Sequence, residues 1–143
     1  MSARPARLRF DAISQIEKAD GCYQIVAHLS YKGRELTGYS ELSGLNRDLE
    51  AAATAVLKAV EEFVRNRVEC QLIELDRISA LGKELIVLLV RVRFNGKEVQ
   101  IFGSCKASED LLESSARAAL DATNRYVELA LAEKEETTTS TRK

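Results

Sequence analysis

The chain has little of what specialised chemistry usually needs. Its three cysteines, Cys22, Cys70 and Cys105, include no CxxC pair. An odd count without close pairing argues against a disulfide framework, so reduced thiols packed as small hydrophobes are expected. The single histidine, His28, cannot complete a zinc site of the usual ligand count. It lies mid-strand with no nucleophile beside it and reads as a surface or structural residue. Acidic pairs such as Glu61-Glu62 and Glu135-Glu136 read as solvated helix or tail charges, and no glycine-rich loop cradles a phosphate. The expectation is a protein that is not an enzyme and holds no metal or cofactor. Charge of one sign is also missing: 21 basic and 22 acidic residues give a net charge of −1, so bulk capture of nucleic acid gains no support. The longest apolar run, Leu85 to Val90, is far too short to span a bilayer, and no apolar run follows the basic start from Met1 to Arg7. A soluble, cytoplasmic protein without a membrane partner is expected.

What is present is a repeat. Shifted by 63 positions, the sequence aligns with itself without a gap. Gly33 falls on Gly96, Glu35 on Glu98, Leu49 on Leu112, Ala53 on Ala116, Ala55 on Ala118, Leu57 on Leu120, Ala59 on Ala122 and Val64 on Val127. Conservative pairs keep the same phase: Tyr31 with Phe94, Arg34 with Lys97, Tyr39 with Phe102, Phe63 with Tyr126. Such self-similarity predicts a pseudo-symmetric domain over 7–132, with repeats at about 7–66 and 69–132. Residues 1–6 read as a polar arm. Residues 133–143, which contain no apolar side chain, read as a disordered tail.

Within each copy the spacing predicts three strands and a helix. Tyr23, Ile25, Ala27, Leu29 and Tyr31 alternate, as do Ile86, Leu88, Val90, Val92 and Phe94. Lys32-Gly33 and Asn95-Gly96 follow as hairpin turns. A third strand carries Leu36 and Tyr39, or Val99, Ile101 and Phe102; first strands are expected at Leu8 to Ile16 and Cys70 to Ile78. The helices show stripes at Leu49, Ala53, Val56, Val60 and Phe63, and at Leu112, Ala116, Ala119, Thr123, Tyr126 and Ala130. Asn46 or Asp48 is expected to start the first helix; Ser108, Glu109 and Asp110 start the second. A three-stranded sheet with one helix leaves too much apolar surface exposed, so the copies must share a core. The fold class is α+β: a tandem duplication of a β-β-β-α unit, with antiparallel sheets and two helices around one core.

Two binding chemistries compete. The hairpin and alanine-rich helix from Phe94 to Leu120 resemble the second half of a double-stranded-RNA-binding domain. That fold needs lysines where this helix opens with Glu109, Asp110 and Glu113, which repel phosphate. Only the stripe Arg91, Arg93 and Lys97 favours RNA. The strand-to-helix loops, Ser40 to Asp48 and Gly103 to Asp110, instead carry small polar residues before a helix N-terminus. Free amides there and the acidic residues nearby suit a zwitterion such as a free amino acid.

The run from Gly103 through Ala107, Ser108, Asp110 and Ser115 to Ala122 and Asn124, together with the turn Ala80-Leu81-Gly82 and its following strand, resembles the C-terminal regulatory domain of alpha-isopropylmalate synthases and citramalate synthases. The resemblance covers about residues 7–130 and lacks the catalytic barrel that precedes this domain in those synthases. It implies a homodimer that binds a branched-chain amino acid or similar small effector near the subunit interface. It also implies ligand contacts at Ala80, Gly82, Gly103, Ser108 and Asp110. The first loop, Gly44 to Asp48, lacks the family's Gly-x-Gly-Pro, so the second repeat is where a site is expected. The reading is a free-standing, non-catalytic regulatory domain; the alternative is a structural or protein-interaction module, with a protein partner, in which the ligand site is lost.

Overall fold

Strand alternation and helical spacing are both realised in the computed structural model of the chain, which describes residues 7–19, 21–42 and 47–140. Strands β1 (Arg9–Glu17), β2 (Tyr23–Tyr31) and β3 (Arg34–Leu42) precede helix α1 (Asp48–Phe63). Strands β4 (Val68–Ala80), β5 (Lys83–Phe94) and β6 (Lys97–Lys106) precede α2 (Leu111–Ser140). Each triplet forms its own antiparallel sheet in sequence order. The expected α+β architecture of two β-β-β-α units is observed.

Two-residue turns set the strand registers. Lys32 and Gly33 have φ of 49° and 81°, and Asn95 and Gly96 have φ of 53° and 74°, the paired positive values that match hairpin twist. They set Tyr31 opposite Arg34 and Phe94 opposite Lys97. A third turn of this kind, Leu81-Gly82 with φ of 54° and 74°, joins Ala80 to Lys83. Leu81 is fully exposed, and holding a leucine in this left-handed region costs about 1 kcal/mol.

Both sheets turn an apolar face to the helices. Ile25, Ala27 and Leu29 of β2 are buried, as are Ile86, Leu88, Val90 and Val92 of β5. In α1 the buried residues are Ala51, Ala52, Ala53, Ala55, Val56, Leu57, Ala59 and Val60. At roughly 100° per residue they wrap more than half the helix, so α1 meets more than its own sheet. It packs on β2 and β3, on α2 and on β4, while α2 packs on β5 and β6, on α1 and on β1. Small residues keep the helices close: Ala116, Ala118 and Ala119 are buried, and Ser115 Oγ donates to the Leu49 carbonyl at 2.5 Å. One hydrophobic cluster runs through both halves.

Each helix also comes down on a glycine of its own sheet. A Cβ on Gly38 of β3 would strike the Ala55 carbonyl and lie 2.8 Å from Ala59 N; on Gly103 of β6 it would strike the Ala118 carbonyl and lie 2.7 Å from Ala122 Cβ. Ala118 and Ala122 stand 63 positions after Ala55 and Ala59, but Gly103 stands 65 after Gly38. Turns and helices keep the repeat spacing, yet the second hairpin crosses its helix two residues further along the strand, a slip of ~7 Å. The gap-free alignment hides this shift, because it sets Gly38 against Ile101 and Gly103 against Ser40.

The structure departs from the sequence reading at the helix ends. The segment expected to be a disordered tail remains helical through Ser140. Leu131 to Glu136 are mostly strong helix formers, so the helix propagates at little cost. Residues 141–143 and the arm 1–6 lie outside the described residues. Of the three residues expected to start α2, Asp110 caps it, its Oδ1 accepting the Glu113 N–H at 3.1 Å. The residue before α1 is Arg47, which makes no side-chain cap. Asp48 lies just inside the helix, its Oδ1 accepting the Leu49 N–H at 3.1 Å, and Asn46 lies outside the described residues.

Candidate functional site

The β4–β5 turn and the β6–α2 loop meet at one end of the second sheet. Leu81-Gly82 closes β4 onto β5 there, and the Ala107 N–H donates to the Glu84 carbonyl at 2.9 Å, which ties the loop to the start of β5. Four of the residues implied by the family resemblance, Ala80, Gly82, Ser108 and Asp110, therefore lie at this end. The two polar ones have internal partners. Ser108 Oγ donates to the Asp110 carbonyl at 3.0 Å, and the Ser108 N–H donates to Ser114 Oγ at 3.0 Å. The Asp110 cap serves a backbone N–H that the first turn of α2 leaves without a helical partner, and the Ser108 bonds hold the loop against the start of that helix.

Gly103 is not among them. It lies within β6, buried beneath α2 against Ala118 and Ala122. Close helix-to-strand approach, not ligand access, accounts for a glycine there. The loop it was expected to open is only 107–110. Of the first loop, residues 43–46 lie outside the described residues.

The outer face of the second sheet carries an apolar strip. Cross-strand pairing sets Leu89 between Glu74 and Phe102, and Val87 between Asp76 and Ser104. Alternation turns these residues away from the helices. Phe102 is 72% exposed and Ile78 is 40% exposed, and both line a shallow cleft of about 140 Å³ with Val87 and Leu89. Further along the same face, Arg93 pairs with Glu98 at 3.2 Å and Glu69 at 3.6 Å. Arg91 Nη1 donates to Gln71 Oε1 at 3.0 Å and its Nε lies 3.8 Å from Glu98. The two arginines of the stripe that favoured RNA are thus matched by neighbouring carboxylates.

The thiols sit in apolar or mixed surroundings. Burial, with the Glu61 carboxylate adding to it, pushes the Cys70 thiol from 9.0 up to about 12, and the Cys70 N–H donates to Glu61 Oε2 at 3.1 Å. The Cys105 thiol is raised by burial, with Arg117 opposing. Iodoacetamide at pH 8 is therefore expected to spare Cys70 in the folded protein and modify it in urea, because the thiolate is the nucleophile. Equal rates in both states, read by peptide mass spectrometry, would contradict the burial argument. The sign of the pH dependence follows from the raised value. The stability linked to the protonated thiol is complete below pH 9.0 and is lost as pH rises toward about 12. His28 faces Ala12 and Thr37 across the first sheet. Among the described residues, no three His, Cys, Asp or Glu side chains are placed to hold a metal ion, and no helix is long and apolar enough to cross a membrane.

A second cleft, about 220 Å³, lies where the first hairpin, the turn after α1 and the α2 helix meet. The Tyr31 and Phe63 rings form one wall with centroids 4.9 Å apart, and the Arg34 guanidinium lies 6.0 Å over Phe63. Arg65 and Arg67 stand on the turn, and Leu131 reaches in from α2. Sequence reading missed this site because its residues come from three separated segments. The one available signal was the basic cluster Arg65 to Arg67, which reads as an ordinary helix end. The sequence matches no protein-family model and no characterised protein.

Proposed function

We propose that this chain is a non-catalytic regulatory-type domain that works as a homodimer, paired through the outer face of its second sheet. A small effector, of the branched-chain amino acid kind, acts at the end of that sheet where the 81–82 turn meets the 107–110 loop. The observation that carries the dimer is the strip of Phe102, Leu89, Val87 and Ile78, with Phe102 left 72% exposed. A large aromatic in that position gains most from an apolar partner. A two-fold axis through the strip sets it on its own image, so one patch serves both subunits. The effector draws support from the family resemblance and from four of its five implied residues lying at one end of the sheet.

Sedimentation at micromolar concentration tests the pairing: the wild type is expected to be dimeric and Phe102→Glu monomeric, since a buried unpaired carboxylate opposes association. A monomeric wild type would remove the dimer. A second reading, a protein-interaction module without a ligand site, gains from the internal bonds that occupy Ser108 and the Asp110 carboxylate. Thermal shifts with the free amino acids separate the two. A ligand at ~100 times its dissociation constant adds ~2.7 kcal/mol of apparent stability, and no response to any of them would favour the interaction module.

A further inference from the structure

We infer that the cleft between Tyr31, Phe63 and Leu131, rimmed by Arg34, Arg65 and Arg67, binds a small organic anion, a carboxylate on a short apolar body. This site is separate from the effector end of the second sheet, and its case does not depend on that reading. Charge is the first argument. Arg7, Arg77, Arg91, Arg93 and Arg117 each pair with a glutamate, whereas Arg34, Arg65 and Arg67 have no carboxylate partner among the described residues. Lys32 Nζ adds a fourth positive charge nearby, 5.4 Å from the Tyr31 ring. Guanidinium groups bind carboxylates through two parallel hydrogen bonds, and the Arg34 guanidinium stands 6.0 Å from the centre of the Phe63 ring, beside the apolar wall.

The backbone supplies the second argument. The turn after α1 is a Schellman motif: the Arg65 N–H donates to the Glu62 carbonyl at 3.1 Å and the Asn66 N–H to the Glu61 carbonyl at 2.9 Å. Glycine is the usual residue at the first of these positions, yet Arg65 has φ of 54° and Asn66 has φ of 61°. An arginine is thus held in a costly conformation at the rim of a cleft that two other arginines line. The repeat supplies the third. The positions matching Arg65 and Arg67 in the second copy are Glu128 and Ala130, which lie inside α2, so the basic turn belongs to the first copy alone.

Shape and lining narrow the ligand. A volume of about 220 Å³ falls below the ~300–1,000 Å³ of pockets for drug-sized ligands, which favours a small metabolite. The aromatic wall and Leu131 favour an apolar body behind the charge. Calorimetry with 4-methyl-2-oxopentanoate, 3-methylbutylamine and inorganic phosphate tests this on the full chain. The oxo acid is expected to bind saturably and the amine not at all. Phosphate binding as tightly as the oxo acid would overturn the apolar body, and failure of the oxo acid to bind would overturn the site. Arg34→Gln and Arg67→Gln should each weaken binding about 10- to 100-fold, the usual loss for a hydrogen bond to a charged group. Arg125→Gln, on the exposed face of α2, controls for net charge, and an equal loss there would overturn the assignment. Arg65→Gly should move two readouts in opposite directions, raising the unfolding midpoint of the free protein while weakening oxo-acid binding. Unchanged binding in that variant would also count against the site.

Discussion

Replacing Gly103 with alanine is expected to lower the stability of the protein by about 3 kcal/mol or more, the upper range for overpacking a core. In thermal unfolding this corresponds to a fall in midpoint of ~10 °C. The sign is the informative part. At a position whose backbone tolerates it, Gly→Ala stabilises by about 0.4–1 kcal/mol, because it restricts the unfolded chain. Here the added methyl strikes the Ala118 carbonyl and lies 2.7 Å from Ala122 Cβ and 2.9 Å from Ala122 N. Two of these three atoms are backbone, so a rotamer change cannot relieve the clash. Adding Ala122→Gly should restore only part of the loss. Gly38→Ala should behave alike, since its methyl meets the Ala55 carbonyl and lies 2.8 Å from Ala59 N. A cost under about 1 kcal/mol at both glycines would mean that helices and sheets do not approach so closely.

Leu88→Ala and Leu89→Ala should differ sharply although the residues are neighbours on β5. Leu88 is 1% exposed and belongs to the shared core, so its truncation is expected to cost about 2–5 kcal/mol. Leu89 points to the opposite face, half-buried between Glu74 and Phe102, and its truncation should cost the monomer about 1 kcal/mol or less. Its larger effect should fall on self-association. Unfolding measured at low and high protein concentration separates the two quantities. Equal losses would put both side chains in one environment and contradict the register of the second sheet.

Local signals made much of the fold legible. Alternation from Ile86 to Val92 marked the buried face of β5, Asn95-Gly96 marked a hairpin turn, and three-then-four spacing marked both helices, because these periods are properties of the backbone itself. The gap-free repeat also required two copies around one core. Other features depended on how the elements were set against one another. The two-residue slip between hairpin and helix is invisible to an alignment in which turns and helices each keep the same spacing. It moves Gly103 out of the loop where the sequence placed it and beneath α2, where only the contact with Ala118 and Ala122 shows why a glycine is needed. The basic cleft gathers Arg34, Phe63, Arg65, Arg67 and Leu131 from segments far apart in sequence, and only tertiary packing brings their charge and apolar surface together. Sequence by itself determined the elements and their pairing, since those follow from short-range periodicity and turn geometry. Tertiary structure decided which side chains share a site, since that depends on the relative placement of two halves whose sequences look nearly symmetric.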